Sequence, residues 1–262
     1  PVFYFPKFFH PDPSVKRQSG FLTPEFGSSK NAGSSVSSPY FYIISDNKDI
    51  TLKPRLFDNN KFLVQNEYRQ KNENSLSILD FGLVSGHDSS VDDQGGTRSH
   101  VFTKTIMDLS LDKFESSMLN IKFQKASNDN YLKIFDITSP ILPTNNGVLE
   151  SIIELDLEHQ DYDLTTSFEM YETLKGSNSD RYQYVLPSYN FSKNFYLENI
   201  MGNFNYNSYG NNTLRDTNIT TSTLINDLNY STVNAYLNNG IKTNFEISLK
   251  NVNTVGKNSP QY

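Results

Sequence analysis

Segment after segment of this chain alternates apolar and polar side chains with a period of two. That pattern admits little besides long β-strands with one greasy and one wet side. Leu149, Ile153, Leu155 and Leu157 stand opposite Glu150, Glu154, Asp156 and Glu158, and Tyr162, Leu164, Phe168 and Met170 opposite Asp163, Thr165, Ser167 and Glu169. The same reading sets Phe62, Val64 and Tyr68 against Lys61, Gln65, Glu67 and Arg69, and Leu119, Ile121 and Phe123 against Asn120, Lys122 and Gln124. Late in the chain Ile241, Phe245, Ile247 and Leu249 oppose Lys242, Asn244, Glu246, Ser248 and Lys250. No stretch of useful length carries a helical period. Asp58-Asn59-Asn60, residues 158–161 and Asn238-Asn239-Gly240 read as tight turns, and 85–99, 127–147 and 175–180 as longer polar loops, so short and long connections are expected to alternate. At roughly twenty residues per strand plus connection, the chain holds about a dozen antiparallel strands.

Composition narrows what such a sheet can be. With 19 Phe and 16 Tyr the chain is too aromatic to be disordered, and its net charge of −6 is spread along the sequence, which argues against a nucleic-acid partner. There is no cysteine, so no disulfide and no thiolate metal site. His10, His87, His100 and His159 lack ligand spacing, and Asp88, Asp92 and Asp93 beside Gly95-Gly96 read as a solvated loop rather than a calcium motif. Glu154, Asp156 and Glu158 share one strand face as in a water-filled lumen, and no phosphate loop or nucleophile elbow occurs. The expectation is a non-enzyme with no cofactor and no metal. Alternation by itself fits a transmembrane barrel and a soluble sandwich alike. Long strands, Asn and Ser on the polar faces, and aromatics at Tyr40-Phe41-Tyr42, Tyr182/Tyr184 and Tyr206/Tyr209 read as an interfacial girdle favour the barrel; the absence of Trp counts against it.

The opening residues add prolines where a sheet tolerates them least. Lys16-Arg17-Gln18-Ser19-Gly20-Phe21-Leu22-Thr23-Pro24 runs a short apolar strand into a proline, and Ser38-Pro39-Tyr40-Phe41-Tyr42 places another early in the next strand. Proline offers no N–H to a ladder, so two neighbouring strands that each carry one form a weak seam. Pro1–Pro6, Arg17–Pro24, Pro39–Ser45 and Asp49-Ile50-Thr51-Leu52-Lys53-Pro54, extended by Glu67-Tyr68-Arg69, closely resemble in order and spacing the LptD (OstA/Imp) family of lipopolysaccharide-assembly proteins in Gram-negative outer membranes. Beyond residue 70 the likeness thins to Lys125-Ala126-Ser127 with Tyr131 and Phe135-Asp136, and to 181–187.

The resemblance implies an internal fragment of an outer-membrane protein: an all-β chain with the end of a periplasmic β-jellyroll and its linker at 1–16, then the first half of a large antiparallel transmembrane β-barrel at 17–262. It implies a first strand near 17–27, a second near 35–45, and a lateral gate between the first and last barrel strands, through which lipopolysaccharide reaches the outer leaflet. Gly20, Phe21, Leu22, Pro24, Pro39 and Tyr40 are the matching gate positions. Phe3, Tyr4, Phe8 and Phe9 fall in the jellyroll–barrel linker, where the phenylalanines either line a channel mouth or fill a local core. The implied partners are lipopolysaccharide, a lipoprotein plug like LptE, a periplasmic Lpt bridge protein and outer-membrane lipids. The alternatives are a porin-like channel, which has no use for the paired-proline start, and a soluble all-β adhesin or glycan-binding protein, which would bury its Phe and Leu rows.

Overall fold

The computed structural model describes residues 17–29, 32–58, 60–87, 96–142, 147–175, 180–196, 202–236 and 239–258. The expected jellyroll end at 1–16, with Phe3, Tyr4, Phe8 and Phe9, lies outside the described residues, as do Asp88, Asp92 and Asp93. The chain folds as β1 (Gly20–Phe21), β2 (Glu25–Ser29), β3 (Gly33–Ser37), β4 (Tyr40–Ser45), β5 (Lys48–Phe57), β6 (Phe62–Lys71), β7 (Ser75–His87), β8 (Gly96–Asp108) and β9 (Ser116–Ala126). A single helical turn, α1 (Tyr131–Ile134), precedes β10 (Val148–His159), β11 (Tyr162–Thr173), β12 (Tyr182–Tyr196), β13 (Gly202–Arg215) and β14 (Thr220–Thr232). A two-residue hairpin, β15 (Ala235–Tyr236) and β16 (Lys242–Thr243), leads to β17 (Glu246–Lys257). From β1 through β4 to β14 and β17 each strand pairs antiparallel with the next along the chain, a meander of thirteen strands with β2 and β3 attached beside it. The sheet is not closed: it is part of a barrel.

The alternation sorts the two faces as expected. Glu154 pairs with Ser167 and Asp156 with Thr165, whose hydroxyl donates to the Asp156 carboxylate over 2.7 Å, while Ile153 pairs with Phe168 on the other side. On that other side the apolar rows stay uncovered. Leu83, Ile153 and Phe168 are about half exposed, Phe26 is 83% exposed and Val255 71%. No second sheet packs on them among the described residues, which removes the soluble sandwich. An apolar outer face over a polar inner one is the arrangement of a partial transmembrane barrel. No described helix is long and apolar enough to cross a membrane.

Among the described residues the packed apolar core sits on the polar, inner face, at one end of the sheet. The segment 127–142 was expected to be a polar loop. Instead it folds back over the sheet and buries Tyr131, Leu132, Phe135, Ile137 and Ile141 against Phe57, Leu63, Val84, Phe102 and Ala126. Its apolar residues follow no simple period because they come from an irregular strap, not a strand.

The connections also depart from a strict short–long alternation. Turns at 46–47, 72–74 and 160–161 lie at the end where β5 begins, called here the turn end, together with the longer 109–115 and 233–245. The opposite, loop end holds the strap, but also the short connections from β5 to β6 and from β13 to β14, where Asn60 and Asn218 take the left-handed conformation (φ 59° at each) that Asn tolerates. The aromatic girdle is partial as well. Tyr182 and Tyr184 do sit at a strand end, but Tyr206 and Tyr209 lie within β13, and Tyr40–Tyr42 follow a mid-strand break.

Candidate functional site

Both opening strands are interrupted, and the interruptions fall at the prolines. The first strand, expected as one piece, is split into β1 and β2 with Pro24 in the gap; the second is split into β3 and β4 with Pro39 in the gap. Gly20 pairs with Phe41 and Phe21 with Tyr40, and the Leu22 N–H donates to the Pro39 carbonyl over 2.8 Å. Beyond the break Glu25 pairs with Ser37, and the ladder continues to Ser29 opposite Gly33. From Phe21 to Glu25 is four steps, but from Tyr40 to Ser37 only three, so the first strand carries one extra residue at the break. That is a bulge, the place where a sheet accepts an unpaired position. The six gate positions read from the sequence therefore lie together at one discontinuity. Phe21 is 77% exposed and meets the Tyr40 ring edge-on at 5.0 Å, whereas Pro39 is buried.

A third proline joins them. β5 pairs with β3 through Ser37 and Arg55 and with β4 through Tyr40 and Leu52, and this shared register places Lys53 abreast of Pro39 and Pro54 abreast of Ser38. Pro24, Pro39 and Pro54 thus form a row across three successive strands. The signal was available in the sequence: the three are each fifteen residues apart. Sequence reasoning weighed only the first two.

The strap is tied to the sheet by side chains that also escaped the sequence reading. Gln65 donates to the Thr138 carbonyl (2.8 Å) and to the Asp80 carboxylate (3.0 Å); Gln124 donates to the Ile141 carbonyl (2.9 Å). The Asp80 carboxylate lies 3.3 Å from His100 Nε2, and the other ring nitrogen, Nδ1, lies 3.0 Å from the Tyr131 hydroxyl, all fully buried. Burial, reinforced by the Asp80 charge, pushes the Tyr131 phenol well above its ordinary pKa. At the strap's start Arg181 makes a fork to Asp129 (2.6 and 3.1 Å) and also reaches Glu172 (2.7 Å), which holds its guanidinium more firmly protonated still. In the next connection the Thr217 hydroxyl donates to Asp180 over 2.5 Å and lowers that carboxyl's pKa.

Arg55 connects strap and seam. Its Nη1 donates to the Phe135 carbonyl at 3.1 Å, and its Nη2 lies 3.8 Å from the Glu25 carboxylate on β2, just past Pro24. The β2–β3 hairpin is further held at its tip, where Ala32 is fully buried in the strap core and the Asp58 carboxylate accepts the Ser34 N–H at 3.0 Å. The opening hairpin is therefore firmly docked on the loop-end side of the prolines. On the turn-end side β1 holds to β4 by two residue pairs. Among the described residues no group of three or more His, Asp and Glu could hold a metal ion.

The chain matches no family model. It is 27% identical over 180 residues to the LPS-assembly protein LptD of Nitrosococcus oceani, covering 67% of this chain and 22% of that protein. It is 28% identical over 195 residues to the LPS-assembly protein LptD of Shewanella oneidensis, covering 73% and 24%. A shorter match, 39% over 79 residues, is to the LPS-assembly protein LptD of Ralstonia nicotianae and covers 30% of this chain and 10% of that protein. The chain spans about a quarter of the length of the curated relatives that it matches over most of its own. The likeness carried by the opening motifs is thus one to the LPS-assembly protein LptD family, and it extends over two thirds or more of this chain.

Proposed function

We propose that this chain forms the opening part of an outer-membrane barrel that delivers lipopolysaccharide to the outer leaflet, and that its proline-broken first strands are one side of a lateral gate. The observation that carries the reading is the coincidence of both strand breaks with Pro24 and Pro39 in a chain similar to proteins named for lipopolysaccharide assembly. The physics is that of an amphiphile with two incompatible ends. Each acyl methylene drawn through water costs about 0.8 kcal/mol, and sugars and phosphates cannot cross hydrocarbon unpaired. A wall that parts sideways solves both problems: tails slide out along the apolar face while the saccharide stays against the polar one. Each ladder hydrogen bond adds about 1 kcal/mol of net resistance, and more inside a bilayer, so deleting donors at the seam eases parting.

The partners that go with this reading are lipopolysaccharide, a lipoprotein plug like LptE, a periplasmic bridge protein that supplies the cargo, and outer-membrane lipids. Phe3, Tyr4, Phe8 and Phe9 belong on it to the linker through which cargo arrives. The reading is one of transport, not of bond-making chemistry. Replacing Pro24 and Pro39 together by Ala in the intact protein is expected to restore ladder donors, tighten the seam and lower surface lipopolysaccharide severalfold at equal protein level. Wild-type surface lipopolysaccharide in that double variant would remove the gate and favour a porin-like pore; capture of a lipoprotein plug with the purified protein separates the two readings independently.

A further inference from the structure

On the outer face of β9 to β12, well away from β1 in sheet order, lies an open groove of about 330 Å³. Phe123, Ile153, Phe168, Met170 and Tyr184 wall it, and Ser151, paired with Met170, is the small residue among them. The Ser151 hydroxyl is turned into the wall, where it accepts the Gln124 N–H over 3.2 Å, while the Gln124 side-chain oxygen accepts the Glu150 N–H over 2.8 Å. The β9–β10 ladder ends just before, at Lys122 and Ile152, and beyond that pair side chains stitch the two strands. The groove lies over the place where backbone pairing gives way to that stitching.

Three of its strands carry a groove residue and, one step nearer the loop end on the same face, a member of a polar cluster. The pairs are Phe123 and Lys125 on β9, Met170 and Glu172 on β11, and Tyr184 and Tyr182 on β12. Lys125 Nζ donates to the Glu172 carboxylate over 2.7 Å and to the Tyr182 hydroxyl over 2.8 Å, and that hydroxyl donates to Glu172 over 3.0 Å. Arg181 adds a bond to Glu172 over 2.7 Å. The Glu172 side chain is only 1% exposed and that of Lys125 45%, so the negative charge lies underneath and an ammonium faces out. An ammonium has three donors, and these contacts leave one of them for a ligand. A lysine at the mouth of an apolar groove suits an amphiphile whose tail follows the groove and whose phosphate meets the cation.

We propose that this groove holds a resident phospholipid, with one acyl chain between Phe123, Ile153, Phe168 and Met170 and its phosphodiester on Lys125. The volume stands at the lower end of ligand pockets, which suits a single chain. One spare donor matches one phosphodiester, so the occupant is a diacyl phospholipid rather than a many-chained cargo. The proposal goes beyond the transport reading and requires only that the outer face lie in a bilayer.

The intact protein is stripped of lipid in detergent and titrated with dioleoylphosphatidylglycerol, diolein and glycerol 3-phosphate, and bound copies are counted by native mass spectrometry. Phosphatidylglycerol is expected to fill one site at least tenfold more tightly than either half-molecule. Ser151→Leu, which fills the groove, and Lys125→Gln, which removes the ammonium, are each expected to weaken it at least tenfold. Lys125→Arg restores most of the binding, and Lys193→Gln, at the turn end of β12, leaves it unchanged. A retained heat-dependent gel shift certifies the fold of each variant. Equal affinity for diolein, full affinity in Ser151→Leu or Lys125→Gln, or the same loss in Lys193→Gln overturns the site, since lipid would then cling anywhere on the wall. Displacement of the phospholipid by an equimolar amount of lipopolysaccharide also overturns it and gives the groove to the cargo.

Discussion

At Gly82 the missing side chain is what matters. The residue pairs with His100 across β7 and β8, and a Cβ there would run into the His100 ring and stand 3.2 Å from the Tyr131 hydroxyl. The bare backbone lets the imidazole lie flat between Asp80 and Tyr131, stacked at 4.5 Å on Phe102. Gly210 plays the same part under the ring of its cross-strand partner Tyr189. Gly82→Val is expected to push His100 off Asp80 and loosen the strap at a cost of about 1–3 kcal/mol, the usual price of overpacking. The check is a lowered urea midpoint with an unchanged slope. The conflict is invisible in sequence, where His100 is one of four scattered histidines and Tyr131 lies in a stretch that reads as polar. Only the register that puts Gly82 opposite His100 reveals it.

Among the elements, the strap and the opening hairpin are mechanically joined through Arg55. This single side chain bonds the Phe135 carbonyl and lies near Glu25, while its neighbour Pro54 completes the proline row. The Glu25 contact is long and exposed, so by itself it contributes little; the bond to the Phe135 carbonyl of the strap contributes more. Arg55→Ala is therefore expected to raise amide exchange severalfold both in 131–137 and in 25–29, the two elements loosening together. Faster exchange confined to the strap would show that the hairpin is held by Ala32 and Asp58 alone. The sequence made β6 and β10 legible as strands, since their side chains alternate cleanly. It did not make the breaks in the first two strands legible, because a proline can end a strand, bulge it or sit at its edge, and the partner strand decides which.

For the whole molecule, the question is what covers the outer apolar face. Phe81 lies in the middle of β7, 40% exposed, with its side chain pointing away from Asp80 and Gly82. On a water-facing sheet Phe81→Lys would cost little. On a lipid-facing barrel a lysine near the bilayer midplane costs about 2–4 kcal/mol. The expected outcome is a protein whose stability in lipid vesicles falls by that amount, while a Lys at the exposed inner-face position Ser248 has a smaller effect. Equal costs at both positions would mean that the outer face is not in hydrocarbon.

The chain by itself determined its fold class, because a period of two forces each strand to present one apolar face whatever its neighbours do. It also placed a residue without a ladder donor in each of the two opening strands, at Pro24 and Pro39. The tertiary structure alone decided that residues 127–142 pack inward as a core, that three prolines fall at neighbouring positions on successive strands, and that Gly82 lies opposite His100. Those features depend on which residues meet across strands, and local pattern carries no information about such meetings until the register is set.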